Sequence, residues 1–404
     1  MKSGMARISQ QGLSLIELMV AVTLSLLMSL AIFSALSGSE GRKRTMTSVN
    51  DLNQVGTYAS YVLDKMVRSA GSGFSQSAAY AYGCPIRASR ATTGTILPFQ
   101  GTMAPPFSTM NAALSGKYRL APVIIAKNAT TPNISAAGMA SARSDALMVM
   151  SGTAGFGEVS TLFTAPATST QINLQNTVSF RKDDLVLIND VPGTSGPVTC
   201  MIQQVASGFS SATTPTALML GGEYKVNPIE GSNLSTYSTL ATALSLGSAT
   251  LENPPLFSLF GVGDNNTLLS YDLLQMGAYN ATQEVADGIF EMHALYGIDS
   301  DANGRVDTWV DPGSGAFTFT ALQSGTNASL AALRSIKAIR IGLILRTSLP
   351  EKATAPPTTS GPLVLFGDLG TGLTYTRPLA PSEQNFRYRT VETTIPIRNT
   401  LLLD

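Results

Sequence analysis

Apolar and polar positions divide the chain into three regimes. From Leu13 to about Leu36 the residues are apolar or small, and Glu17 is the one charge among them. A helix needs about 20 such residues to cross a bilayer, and this run has them. Further on, Val49, Leu52, Val55, Ala59, Val62, Met66 and Ala70 recur at helical spacing. Asp64 and Arg68 can pair at i, i+4 on the opposite side. Gly71 and Gly73 then close the pattern, as glycine does beyond a helix C-terminus. The expectation is one long helix, apolar all round over residues 13–37 and amphipathic over 38–71. At 1.5 Å per residue it would run about 87 Å from Leu13 to Ala70, with Gly38 and Gly41 marking a bend.

After residue 80 the pattern shortens to strands and turns. Asp145–Met150, Asp184–Ile188 and Thr199–Ile202 read as strands bounded by polar, Gly or Pro positions. Leu256–Val262 and Thr267–Leu273 flank Gly263-Asp264-Asn265-Asn266 and predict a hairpin. Residues 91–145 and 207–250 are rich in Ala, Ser, Thr and Gly with weak periodicity, and are expected to be long loops or insertions. Phe290, Met292, Ala294, Tyr296 and Ile298 alternate with Glu291, His293 and Leu295, as a half-buried strand would. Strands are also expected around Thr308–Val310, Ile339–Arg346 and Phe386–Arg398. The fold class is α+β, with residues 72–404 a β-rich body.

Composition narrows this further. The 404 residues are 13% charged and 44% hydrophobic with formal net charge +0, so no basic excess invites nucleic acid. Two cysteines and one histidine do not make a zinc site. In an oxidising compartment Cys84 and Cys200 are expected to form a bridge; otherwise they are two buried thiols. His293 falls on the polar side of its strand and reads as solvated, with no nucleophile motif beside it. The chain is therefore expected not to be an enzyme.

The start of the apolar run carries the most specific chemistry. A charge in hydrocarbon costs roughly 2.5 to 3.5 kcal/mol even on lenient scales, so Glu17 needs a partner. A short polar leader, residues 1–12 with Lys2 and Arg7, ends at Gly12, ahead of the run. In a secretory signal the small residue follows the run; here cleavage would keep the helix. Lys2 and Arg7 favour a cytoplasmic leader, but Arg42-Lys43-Arg44 lie beyond the other end, so charge alone does not fix orientation. The segment Gly12-Leu13-Ser14-Leu15-Ile16-Glu17 resembles the prepilin signal of type IV pilins and type II secretion pseudopilins. That resemblance implies cleavage by a prepilin peptidase between Gly12 and Leu13 and N-methylation of Leu13. It also implies that Glu17 pairs with the terminal amine of an adjacent subunit and sets register.

Both ends of the chain also resemble the PilW family of minor pilins. The resemblance rests on Met66-Val67-Arg68-Ser69-Ala70-Gly71 at the helix exit and on Tyr296-Gly297-Ile298-Asp299 leading into an acidic turn. It also rests on Leu343-x-Leu345-Arg346-Thr347 and on a closing Thr-x-Ile-x-x-x-Asn pattern near Thr394 to Asn399. It implies a type IV pilin-like fold, a long N-terminal helix on an enlarged antiparallel body. It implies other minor pilins, a major pilin, the inner-membrane assembly machinery and a PilY-type tip adhesin as partners, besides membrane lipid. The expected location is the bacterial inner membrane, N-terminus cytoplasmic and body periplasmic, then the extracellular pilus. The expected function is priming assembly at a pilus tip, with adhesion and twitching motility. The alternatives are a type II secretion pseudopilin and a membrane-anchored surface adhesin.

One turn has ion-binding spacing. Asp299, Asp301, Asn303, the Arg305 carbonyl and Asp307 take positions 1, 3, 5, 7 and 9, with Gly304 sixth, a pattern that suits Ca²⁺. Position 12 is Val310 rather than the bidentate glutamate of an EF-hand, so the alternative is a polar turn capping its own backbone. No cofactor is otherwise expected.

Overall fold

The computed structural model describes residues 14–77, 81–130, 144–153, 159–191, 199–250, 253–276, 282–351 and 357–401. They form two units, Met1–Asn53 and Gln54–Asp404. The leader and the Gly12-Leu13 junction lie outside the described residues.

The first unit consists of the opening part of helix α1 (Leu15–Ser69). Leu15–Leu36, 22 residues, is long and apolar enough to cross a membrane, and its described side chains are exposed. Its hydroxyls do not spoil that property. Thr23, Ser25, Ser29 and Ser34 donate to the carbonyls of Val20, Val22, Ser25 and Ala31 at 2.9, 2.9, 2.7 and 2.9 Å, so each is satisfied within the helix. Helix continues through Gly38 and Gly41, the positions expected to mark a bend, without a break in its assignment. A single glycine weakens a helix by only about 1 kcal/mol, and its neighbours carry it.

In the second unit α1 buries Gly56, Ala59, Leu63 and Val67, and Ala70 just beyond it is buried too. Leu52, Ala59 and Ala70 are buried as expected, but Gly56, Leu63 and Val67 take the places of Val55, Val62 and Met66, which are only half-buried. Gly56 explains the rotation. A Cβ there would stand 3.2 Å from Leu345 Cδ2 and 3.3 Å from Val391 Cγ2, so the helix approaches the body through the residue without a side chain. The helix stops where expected. Gly71 and Gly73 have φ of +82° and +83°, a conformation glycine adopts without strain.

The strands in chain order begin with β1 (Ile86–Arg90), β2 (Gly94–Leu97), β3 (Val123–Thr130), β4 (Ser144–Ser151), β5 (Thr161–Ala165) and β6 (Gln171–Leu174). Next come β7 (Asp184–Asn189), β8 (Cys200–Gln204), β9 (Ala217–Met219), β10 (Thr242–Ser248), β11 (Leu256–Val262) and β12 (Leu268–Asp272). The last are β13 (Gln283–Ala286), β14 (Ile289–Ile298), β15 (Thr308–Val310), β16 (Ile336–Arg346), β17 (Leu363–Leu365), β18 (Tyr375–Arg377) and β19 (Tyr388–Pro396). Three short helices join them: α2 (Ser108–Leu114), α3 (Phe319–Leu322) and α4 (Asn327–Ser335). Together with α1 this is a mixed α+β, pilin-like fold.

The strands form an eight-stranded sheet, β2-β1-β8-β7-β10-β5-β6-β9, a five-stranded sheet, β13-β12-β11-β4-β3, and a four-stranded sheet, β15-β14-β16-β19, while β17 and β18 pair alone. The first has its own core, including Phe163, Ile172, Val186, Met201, Leu218 and Ala243. The segments expected to be loops or insertions also hold regular elements: residues 91–145 include β2, α2 and β3, and 207–250 include β9 and β10. In β10 (Thr-Ala-Leu-Ser-Leu-Gly-Ser) alternation is lost because the first six residues are buried, so both faces are covered. The Leu256–Asp272 hairpin forms in antiparallel register around Asn265 and Asn266, both at φ +60°.

The four-stranded sheet has two covered faces. On one, α1 meets Leu345 and Val391 through Gly56. On the other, the β17–β18 hairpin packs Leu365 and Phe366 with Phe290, Leu295 and Ile344. For that reason all ten residues of β14 are buried, contrary to the half-buried strand expected from its alternation.

Candidate functional site

Glu17 sits in the first turn of α1, fully outward, where an acid suits the positive end of the helix dipole. Its N–H donates to the Ser14 carbonyl at 3.0 Å and to Ser14 Oγ at 3.3 Å, so Ser14 caps the helix in the manner of a Ser-x-x-Glu motif. No described residue hydrogen-bonds or ion-pairs with the Glu17 carboxylate.

Cys84 and Cys200 are disulfide-bonded, their Cα atoms 5.6 Å apart and 116 positions apart in sequence. The bond stands beside the parallel pairing of β1 with β8, where Ile86 faces Cys200. It joins the segment leaving α1 to the middle of the eight-stranded sheet.

The acidic turn brings Asp299, Asp301 and Asp307 together, with one carboxylate oxygen from each within 4.8 Å of the others. The same groups cap backbone. Asp299 accepts from the N–H of Asn303 at 3.1 Å and of Gly304 at 2.8 Å, and Asp307 accepts from Ser300 N at 2.7 Å. Burial works against the Asp299 charge, but these backbone donors outweigh it and hold its carboxyl below the usual range. Asn303 Oδ1 accepts from Arg305 N at 2.8 Å, so that oxygen already has a partner. Lys337, buried, places Nζ 4.0 Å from Asp299 and donates to the Thr400 carbonyl at 3.0 Å.

His293 departs from expectation. It is 5% exposed, because Tyr375 from the hairpin stacks on its ring at 3.7 Å between centroids. Burial disfavours its charge, but hydrogen bonds to Asp145 and Glu291 outweigh that and lift its pKa to about 9. Glu291 in turn accepts from Tyr375 OH and Arg377 Nε, each at 2.7 Å, and Arg377 reaches Glu383 at 2.8 Å. Burial opposes the Glu291 charge, yet the His293, Tyr375 and Arg377 bonds prevail and keep its carboxyl below the ordinary range. The network fastens the β17–β18 hairpin to the sheet. Sequence reasoning missed it because the partners lie more than eighty residues apart, and alternation cannot reveal a cover supplied from elsewhere.

The C-terminal segment closes the body. Asn399 Nδ2 donates to the carbonyls of Ser69 and Ala70 at 3.2 and 3.0 Å, satisfying the end of α1. This gives a physical role to an asparagine that the closing pattern had singled out.

A membrane-length helix led by a lone acid, continuing as an amphipathic helix under an antiparallel sheet, defines a membrane-anchored, prepilin-type subunit. Residues 7–37 match the Prokaryotic N-terminal methylation motif. Residues 261–399 match the family PilW, Type IV Pilus-assembly protein W, and the two matches together are those of a PilW-family type IV minor pilin. No curated protein and no solved structure matches the chain. The PilW match begins within β11 and takes in the four-stranded sheet, whereas the eight-stranded sheet lies wholly before it.

Proposed function

We propose that this chain is held in the bacterial inner membrane by its apolar helix, body periplasmic, and then enters a type IV pilus. There it primes assembly at the tip with other minor pilins. The observation that carries the reading is Glu17, an acid without a partner among the described residues at the head of a 22-residue apolar helix. In a membrane or filament core that charge needs a cation, and the Leu13 amine freed by cleavage after Gly12 supplies one. Methylation keeps that amine cationic. Glu17 then sets register between subunits, and the apolar face of residues 13–36 buries against neighbouring helices. The major pilin, the prepilin peptidase, the assembly machinery and a large tip adhesin are the partners this requires, and adhesion and twitching motility would follow from assembly.

The eight-stranded addition supports the tip position on steric grounds, since a terminal subunit has fewer neighbours to clash with. The reading is non-enzymatic: the sole histidine is locked under Tyr375 in a salt-bridged network. The test is mass spectrometry of the mature N-terminus in the native host, with surface pilus counts for wild type and Glu17→Val. Methyl-Leu13 and a sharp fall in pili in the variant are expected. A retained leader, or cleavage beyond the apolar run, would put the anchored-adhesin reading first.

A separable proposal concerns the turn 299–307. The convergence of three carboxylates within 4.8 Å favours a weak Ca²⁺ site, weak because no bidentate glutamate completes it. Terbium luminescence on the full chain should rise and be displaced by calcium, and Asp301→Asn with Asp307→Asn should abolish it. No enhancement in the wild type removes calcium from the account.

A further inference from the structure

The four-stranded sheet has two edges, and the described residues close only one of them. At the β14 edge, β15 pairs with Tyr296–Ile298, and β4 covers what remains. Ser144 Oγ accepts from Met292 N at 2.7 Å and donates to Met292 O at 2.9 Å, while Asp145 Oδ2 accepts from Ala294 N at 3.0 Å. The opposite edge is β19, whose nine residues pair with β16 in unbroken register from Ala338↔Pro396 to Arg346↔Tyr388. Among the described residues its backbone bonds to β16 alone, and Arg389, Thr390, Glu392 and Thr394 are exposed.

Natural sheets blunt such edges with bulges, mid-strand prolines, short strands, charged side chains or a covering segment. Among the described residues this edge has only the charges of Arg389 and Glu392: the ladder carries no register shift, and the strand's proline, Pro396, stands at its end. The row of unpaired N–H and C=O groups can be matched in full only by another extended chain, which fixes the kind of occupant.

Charge narrows the occupant further. The one acid on the strand, Glu392, is already taken by Arg340 at 2.7 Å and by the Phe366 N–H at 2.9 Å. Arg389 and Arg398, both exposed, have no acidic partner among the described residues. A second copy of β19 is a poor match. Antiparallel pairing about the midpoint would set Glu392 against Glu392 and Arg389 against Ile395, leaving both arginines without an acid. We infer that β19 receives, by β-strand addition, an extended segment of another polypeptide that carries acidic side chains opposite Arg389 and beyond Pro396. At about 3.3 Å per residue those acids lie roughly eight to ten residues apart on the incoming strand.

The test uses the full chain in its native host, with a photo-crosslinking residue replacing Thr390 in one strain and Thr394 in another. Adducts are digested and the attachment sites sequenced. Both probes are expected on one segment of one partner, with attachment sites about four residues apart, since a ladder transmits register. Arg389→Glu with Arg398→Glu should cut the yield roughly tenfold, and Arg389→Lys with Arg398→Lys should largely retain it. Unchanged protease resistance of both double variants shows that the sheet still forms. Scattered attachment sites, adducts to lipid only or to a second copy of this chain, or a yield indifferent to charge reversal would each overturn the inference. The outcome does not depend on whether the partner is a pilus subunit, so it is independent of the proposed function.

Discussion

Gly56 leaves Leu345 and Val391 room for little beyond a hydrogen, and the His293 side chain is constrained by what covers it. Gly56→Leu is expected to cost about 1–3 kcal/mol in urea unfolding, because the added atoms must displace the helix from the sheet. Gly56→Ala should cost less, since the nearest atoms are ends of flexible side chains. At His293 the folded pKa of about 9 stands above the ordinary histidine value of 6.5, so its contribution to stability is complete below pH 6.5 and lost as pH rises through 9. The thermal midpoint should fall across that window, and His293→Gln should flatten the fall. Equal slopes in wild type and variant would assign the pH dependence to other groups. A sequence reader sees His293 among alternating residues and infers solvent. The stacking Tyr375 that makes it interior comes from a hairpin 82 positions on, which periodicity cannot register.

Elements with strong local signals were legible. The apolar run, the amphipathic continuation, the Gly71 stop, the 256–272 hairpin and strands β4, β7, β14 and β16 all follow from period and punctuation. The expected stripe on α1 held at Leu52, Ala59 and Ala70 and slipped by one residue at Val55, Val62 and Met66, because glycine carries no apolar side chain to count, although Gly56 makes a close contact with the sheet. The strands within 91–145 and 207–250 escaped because β2 and β9 are only three or four residues long, β3 is an apolar run without alternation, and both faces of β10 are covered. Of the candidate site, Glu17 and the acidic turn could be read directly, whereas the Glu291–Arg377–Glu383 fastening could not. At the end of α1, Asn399→Ala removes two hydrogen bonds to helix carbonyls and should cost about 1–2 kcal/mol, measured by urea unfolding. Asn399→Asp, which cannot donate to those carbonyls when ionised, should do at least as much harm.

For the molecule as a whole, the Cys84–Cys200 bond ties the exit of α1 to the sheet that lies before the PilW match. Cys84→Ser with Cys200→Ser should lower unfolding stability by about 2–5 kcal/mol, read from urea curves of the oxidised wild type and the variant. At the scale of the filament, the tip reading predicts that gold-labelled protein on sheared pili sits at one end; even labelling along the shaft would refute it. The strand order has another consequence, for biogenesis. β19 follows every other described strand in chain order, yet it supplies Val391 beneath Gly56, and Asn399 beyond it satisfies the end of α1. A chain truncated before residue 388 would leave its docking helix without that floor or that terminal bond. Such a chain would expose the open edge of β16 to proteases, so the strand that completes the sheet also guards the helix that docks on it.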